Sequence, residues 1–327
     1  IAQLIRRKCM AQLRLRAQAR DAGIRGIKGR APKPRRPAVR FERFEGNPII
    51  SPRPGNPWEA GGTFNPAAIR LGRKTYVVYR AVSKNSVSTF MLAISEDCRV
   101  IDERLDEPIY LPSEGPELHP SLRGRELTPE LGTEHSAAKL RLSSGGSYCG
   151  CEDPRLTKLG DRIYMTYVAF NGEAPPRVAI TSIKAKDFAS GNWEWERPRL
   201  ISHPAIPDKC CVLFPEKVNG NYLFFHRIFP HIWRDYVRDL RFENGRFIFG
   251  RPCIFTRPRT WDSRKIGAGA PPIKTSFGWL LVYQGVSGWD PEFAKFGLRP
   301  EQFRVNDGYR YKMGVMVLDE RNPERVV

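Results

Sequence analysis

One carboxylic acid and four cations stand where they could do chemistry together. Asp153 lies in Cys151-Glu152-Asp153-Pro154-Arg155, just ahead of the strand pattern Ile163-Tyr164-Met165-Thr166-Tyr167. Pro154 fixes its own φ and disfavours helical backbone at the residue before it, so Asp153 is expected on a stiff, extended segment. Arg80 closes the run Tyr76-Val77-Val78-Tyr79-Arg80, and Arg227 closes Tyr222-Leu223-Phe224-Phe225-His226-Arg227. Lys209 precedes the apolar run Cys210-Cys211-Val212-Leu213-Phe214. Lys265 precedes Ile266-Gly267-Ala268-Gly269-Ala270, which reads as a Gly-rich turn whose backbone amides can approach a ligand closely. A guanidinium offers hydroxyls and anions a fixed fork of donors. One acid among several cations suits a site that holds a sugar together with an anion. The plain alternatives are an Asp–Arg turn that caps a hairpin at Asp153 and a surface ion pair at Arg80.

The elements that must position these residues recur along the chain. Pro66, Pro154, Pro215 and Pro272 each open a short strand, a Gly-containing turn and a strand of bulky residues, at intervals of 88, 61 and 57 residues. The first interval holds a polar insert, residues 113–147, read as a long loop that is either a lid over the site or disordered. A strand-built repeat of this length implies an all-β β-propeller with about four strands per blade. Such repeats cannot bury their faces alone and stack on one another. Four copies are visible, and a further blade is expected from the chain ends. Between the repeats, Phe41 to Ile50 reads as an entering strand and Trp193-Glu194-Trp195 as an outer strand. Residues 102–108 read as a charged outer turn.

The net charge of +19 is unevenly spread: residues 1–40 carry 13 Lys or Arg against the single acid Asp21, which leaves about +7 for the rest. Residues 1–40 are therefore set apart as a basic tail and linker, spurious or disordered, and residues 41–327 as the propeller domain. An Arg-rich, acid-poor start can be a transit peptide or a nucleic-acid arm. The chain begins with Ile, so a fragment or a mis-read start is the preferred reading, with Met10 an alternative start. No nucleic-acid motif accompanies the basic arm, which argues against a nucleic-acid partner. No run is long and apolar enough to span a bilayer, and no membrane partner is expected. The seven cysteines, including the pairs Cys149/Cys151 and Cys210/Cys211, lack zinc-site spacing and read as reduced, mostly buried thiols of a cytoplasmic protein. No metal and no cofactor are expected.

The chain resembles glycoside hydrolase family 130, the mannoside phosphorylases and related hydrolases. The resemblance rests on Phe64-Asn65-Pro66, Tyr79-Arg80, Glu103 to Ile109, Glu152-Asp153-Pro154-Arg155, Leu213-Phe214-Pro215-Glu216-Lys217, His226-Arg227, Lys265 to Pro272 and Tyr311 to Asp319, in order from about residue 44 onwards. It implies a five-bladed β-propeller and inverting cleavage of β-mannosides. It also implies a general acid at Asp153, which relays its proton through a sugar hydroxyl while phosphate attacks the anomeric carbon and gives α-mannose 1-phosphate. By the same resemblance Asn65 and Arg80 hold the mannosyl unit, and Lys209, Arg227 and Lys265 bind phosphate, a co-substrate rather than a cofactor. Lys209 stands where some members carry Arg. The resemblance also implies a further strand set beyond Val327, so the last blade is expected to be incomplete here. A homo-oligomer is compatible with this reading. The rival on the same fold is a β-mannoside hydrolase, which needs a base such as Glu152 or Glu216 to activate water, since inverting glycosidases use two carboxylates. The rival of another class is a non-catalytic propeller whose basic tail contacts nucleic acid.

Overall fold

The computed structural model describes residues 42–113, 115–131, 144–145, 147–287 and 309–327. The basic tail 1–40, with Cys9 and Met10, lies outside the described residues, as do 132–143 of the insert. Within the described residues the fold is all-β apart from a short helix and one 3-10 turn. Four antiparallel meanders follow one another. The first comprises β1 (Gly62–Leu71), β2 (Lys74–Val82), β3 (Val87–Ser95) and the two-residue β4 (Glu103–Arg104). The second comprises β5 (Cys149–Leu159), β6 (Arg162–Phe170), β7 (Arg177–Lys184) and β8 (Arg199–Leu200), with the short helix α1 (Ala185–Ala189) between the last two. The third comprises β9 (Lys209–Leu213), β10 (Tyr222–Ile228), β11 (His231–Val237) and β12 (Arg251–Ile254). In the fourth, β13 (Lys265–Ala268), β14 (Ile273–Thr275) and β16 (Arg310–Leu318) all pair with the long β15 (Gly278–Ser287).

The recurring proline, Gly turn and bulky strand of the sequence are the first two strands of a meander. The bulky strand is the second in the first three meanders and β15 in the fourth. It needs both faces apolar because the meanders stack: a strand buried on both sides reads as a continuous hydrophobic run. Val78, Phe90 and Leu92 of the first meander pack against Leu156, Met165 and Tyr167 of the second. Val178 and Ile180 of the second meet Leu213 and Phe224 of the third. Val212 and Phe225 of the third meet Ile266, Trp279 and Leu281 of the fourth. Phe90, Phe224 and Phe225 are fully buried, each stabilising the fold by roughly 1.5–3 kcal/mol. The first strands of successive meanders are also neighbours, β1 to β5, β5 to β9 and β9 to β13. That row brings the sites near Pro66 and Pro154, and the strands that begin at Lys209 and Lys265, to one end of the stack.

Three local expectations are corrected. Residues 42–50 form no strand; Glu45-Gly46 turns, and Pro48 has no N–H to offer a ladder. Trp193-Glu194-Trp195 is irregular, and the outer strand is β8, further along. The Trp195 ring packs edge-on against Tyr110 and Phe188, so core packing rather than a ladder sets this segment. Lys265-Ile266-Gly267-Ala268 is strand β13, not a turn. In the insert, the described first part is not a free lid: Leu118 and Leu122 form a small apolar cluster with Val87, Tyr148 and Cys149.

Candidate active site

Asn65 and Asp153 occupy corresponding places in β1 and β5. Each lies at an irregularity in the register with the next strand, between Phe64 and Ala67 in one case and between Glu152 and Arg155 in the other. Each precedes a proline, yet Asn65 has φ +41° and Asp153 has φ +55°. The extended conformation expected at Asp153 is therefore wrong. The bulge overrides the local preference set by Pro154 and turns the residue into left-handed backbone, which Asn and Asp tolerate better than most non-glycine residues. Cys210, one residue after Lys209 in β9, repeats the device with φ +53°. Bulges re-aim side chains, and here the two re-aimed groups meet: Asn65 Nδ2 donates to Asp153 Oδ1 at 2.7 Å.

Arg80, opposite Phe64 in β2, lies beneath this pair and is 1% exposed. Its Nη1 reaches Asp153 Oδ1 at 3.3 Å, and its Nη2 reaches Glu152 Oε1 at 3.2 Å. Nε donates to Ser88 Oγ at 2.9 Å, and Nη2 also donates to Ser147 Oγ at 3.0 Å and the Gly145 carbonyl at 3.2 Å. A guanidinium this buried is neither the surface ion pair that was the alternative reading nor a group free to wander. Burial pushes the Asp153 carboxyl up, but Arg80, Arg155, Lys209 and the Asn65 hydrogen bond together outweigh it and hold the carboxyl below the usual aspartate range. The exposed Phe64 ring stands 5.7 Å from the Arg80 guanidinium carbon.

Glu152 is the residue whose place the sequence did not reveal. It is fully buried and accepts from four donors. Oε1 takes Ser147 Oγ at 2.9 Å and Arg80 Nη2, while Oε2 takes Ser144 Oγ at 2.7 Å and Lys209 Nζ at 3.3 Å. Glu152 thus ties the Arg80 side of the site to the Lys209 side. With both oxygens occupied and no exposure it cannot serve as the base that the hydrolytic alternative requires. Glu216, the other candidate base, is exposed and ion-paired to Lys274 of β14 at 2.9 Å. The serines that fix Glu152 come from the end of the polar insert, where nothing in the sequence distinguished them.

Arg227 stands directly opposite Lys209 in the β9–β10 ladder and makes no ion pair among the described residues. Beneath them is a second unforeseen pair, Asp208 Oδ2 to His226 Nδ1 at 2.6 Å, fully inside the protein. Lys265 begins the next first strand, with Nζ 4.7 Å from the centroid of Tyr309 and 5.4 Å from that of Tyr311. Gly267, two residues on, lets β13 close on β9: a Cβ there would sit 2.9 Å from Cys210 Sγ. The structure therefore joins Asn65, Arg80, Asp153 and Lys209 in one contiguous network, sets Arg227 across from Lys209, and puts Lys265 on the adjoining strand. The six cysteines among the described residues are free, and four of them are buried. Among the described residues no cluster of His, Cys, Asp and Glu is arranged to hold a metal, and no helix is long and apolar enough to cross a membrane.

Comparison with known proteins points the same way. The 1,2-beta-oligomannan phosphorylase of Thermoanaerobacter sp. (strain X514) is 27% identical over 296 residues, which cover 88% of this chain and 80% of the relative. The beta-1,2-mannobiose phosphorylase of the same organism is 30% identical over 301 residues, with coverage of 88% and 80%. The crystal structure of a glycosyl hydrolase from Bacteroides ovatus shares the fold with a TM-score of 0.62 at 22% identity, over 88% of this chain and 78% of that one. The model of glycoside hydrolase family 130, described as beta-1,4-mannooligosaccharide phosphorylase, matches residues 140–327. This chain belongs to glycoside hydrolase family 130.

Proposed function

We propose that this chain is an inverting β-mannoside phosphorylase that releases α-mannose 1-phosphate. The observation that carries the reading is the asymmetry of the two adjacent acids. Asp153 is partly open to solvent, while Glu152 is buried and saturated by donors. Asp153 is left to donate the proton, and of the two described candidates for a water-activating base Glu152 is saturated and Glu216 is paired with Lys274, which favours a nucleophile that arrives already anionic. Phosphate meets that need and requires only cations to seat it. Lys209, Arg227 and Lys265 take that role, and Asn65 and Arg80 hold the mannosyl unit.

In this mechanism a phosphate oxygen forms the new bond to the anomeric carbon from the face opposite the departing sugar. The glycosidic C–O bond breaks, and its electron pair leaves with the glycosidic oxygen. That oxygen receives a proton from Asp153, relayed through a sugar hydroxyl. In the free site the cations favour the ionised carboxylate. A phosphate dianion between Lys209 and Arg227 would offset those cations, so binding of phosphate also favours the protonated acid. The four stacked meanders we read as blades of a five-bladed propeller. The free, buried thiols support a reducing, cytoplasmic setting.

The deciding experiment is sugar release from β-1,2- and β-1,4-mannobiose with and without inorganic phosphate. Mannose 1-phosphate that forms only when phosphate is present is the expected result. Free mannose at equal rates in both conditions would make the protein a hydrolase and remove the basis for the assigned cations.

A further inference from the structure

A second cationic site lies at the far end of the second meander. Arg162 opens β6 opposite Leu159, the last residue of β5, six residues beyond Asp153. At about 3.3 Å per residue this is about 20 Å along the strand from the acid. There a cavity of about 280 Å³ opens between the second and third meanders. Five guanidinium groups line it, from Arg162, Arg197, Arg199, Arg238 and Arg241, against two carboxylates, Glu196 and Asp239.

The carboxylates are already committed. Glu196 is bound by Arg162 and by Ser182 Oγ at 2.9 Å, and Asp239 lies 3.6 Å from Arg241. Arg199 spends Nη1 on the Arg241 carbonyl, which pins the 238–242 segment to β8. Arg197 and Arg238 make no hydrogen bond or ion pair with any described residue, and both are exposed. This excess of positive charge within a Debye length favours the entry of an anion into the space. Guanidinium forks match phosphate oxygens in paired hydrogen bonds. Tyr164 and Tyr222, with Thr181, also line the cavity and give it apolar faces and hydroxyls beside the charge. Its size is at the small end for ligand pockets and fits one hexose-sized molecule.

We propose that this cavity is a second, non-catalytic site that binds a sugar phosphate, with Arg197 and Arg238 as its phosphate-holding residues. None of its residues belongs to the Asp153 network; only the choice of α-mannose 1-phosphate as probe and the second equivalent counted below rest on the proposed phosphorolysis. The test is calorimetric titration of the full chain with α-mannose 1-phosphate, inorganic phosphate and mannose. The wild type is expected to bind two equivalents of the sugar phosphate. Arg197→Ala/Arg238→Ala is expected to lose one of them, each guanidinium contributing about tenfold in affinity. Lys209→Ala/Arg227→Ala is expected to keep the distal equivalent, so a failure of the phosphorolysis reading does not touch this result. Arg197 and Arg238 are exposed, so their removal should leave the thermal midpoint unchanged and the fold intact. A single equivalent in the wild type, unaffected by the Arg197→Ala/Arg238→Ala change, would overturn the proposal. Inorganic phosphate binding there as tightly as the sugar phosphate would overturn its sugar part.

Discussion

Glu152→Gln tests whether the site is held together by a buried charge. Today the carboxylate accepts four bonds, from Ser147, Arg80, Ser144 and Lys209. A glutamine can keep its oxygen on Arg80 and Ser147, but its amide then points a donor at the Lys209 ammonium. Ser144 can turn its hydroxyl to accept, so the uncompensated loss is the charge-assisted bond to Lys209 and the ionic part of the bond to Arg80. Hydrogen bonds to charged groups contribute about 1.5–3 kcal/mol. Stranding a fully buried charge costs more, about 3–5 kcal/mol. The lower range applies here for two reasons. Lys209 has a side chain 17% exposed and can turn to water. Arg80 retains Asp153, Ser88, Ser147 and the Gly145 carbonyl. The expected loss is therefore about 2 kcal/mol, read from the shift in the urea midpoint at neutral pH with the slope unchanged. The cycle with Lys209→Met separates the pair from the rest: in the Lys209→Met background the same Glu152→Gln change should cost clearly less. A wild-type background loss below about 0.5 kcal/mol, the level of an ordinary surface change, would refute the view that Glu152 organises the two halves of the site.

Asp153→Asn is expected to lower kcat for phosphorolysis by about 10²–10⁴-fold, the usual range for a lost general acid. Because Asn tolerates positive φ, circular dichroism should be unchanged, and retention of a tenth of the activity would remove Asp153 from its role. The depressed Asp153 carboxyl makes a second, pH-dependent prediction. Its contribution to stability is complete above the unfolded-state value of about 3.9 and is lost as pH falls through that value towards the lower folded one. The stability gap between wild type and Asp153→Asn should therefore shrink on acidification below about pH 4, and a gap that widens there would contradict the assignment. Arg227→Ala should raise KM for phosphate about tenfold or more with little change in KM for the mannoside; the reverse pattern would place Arg227 on the sugar. Gly150→Ala should destabilise by about 3 kcal/mol or more. Its φ is +120°, and the added Cβ would lie 2.2 Å from the Ser88 carbonyl oxygen where β3 meets β5. An unchanged thermal midpoint would show that this junction gives way more easily than its geometry implies.

Much of the fold was legible because stacking leaves a mark on composition. A strand covered on both faces is apolar along most of its length, and Tyr76 to Tyr79 and Tyr222 to Phe225 carry that mark directly. The Gly turns and opening prolines then set the repeat. Segments placed by packing against distant residues left no such mark, which is why Trp193 to Trp195 read as a strand and the stretch after Lys265, from Ile266, as a turn. The candidate site divides in the same way. Asp153, Arg80, Lys209 and Arg227 stood out by residue type at recurring positions. The work of Glu152, Ser144, Ser147 and Asp208 did not, because a buried glutamate that accepts from two meanders and an insert looks in sequence like any other acid.

The sequence by itself determined the all-β repeat, the positions of the chemically able residues and the membership those motifs imply. Only the tertiary structure decided which of two neighbouring acids, Glu152 or Asp153, is buried among donors and which stays partly open to solvent. That choice depends on a bulge that puts Asp153 into left-handed backbone against the preference imposed by Pro154, and on donors brought to Glu152 from residues 80, 144, 147 and 209. Local rules act through neighbours in the chain, whereas burial and charge pairing act through neighbours in space, and here the second set overrides the first.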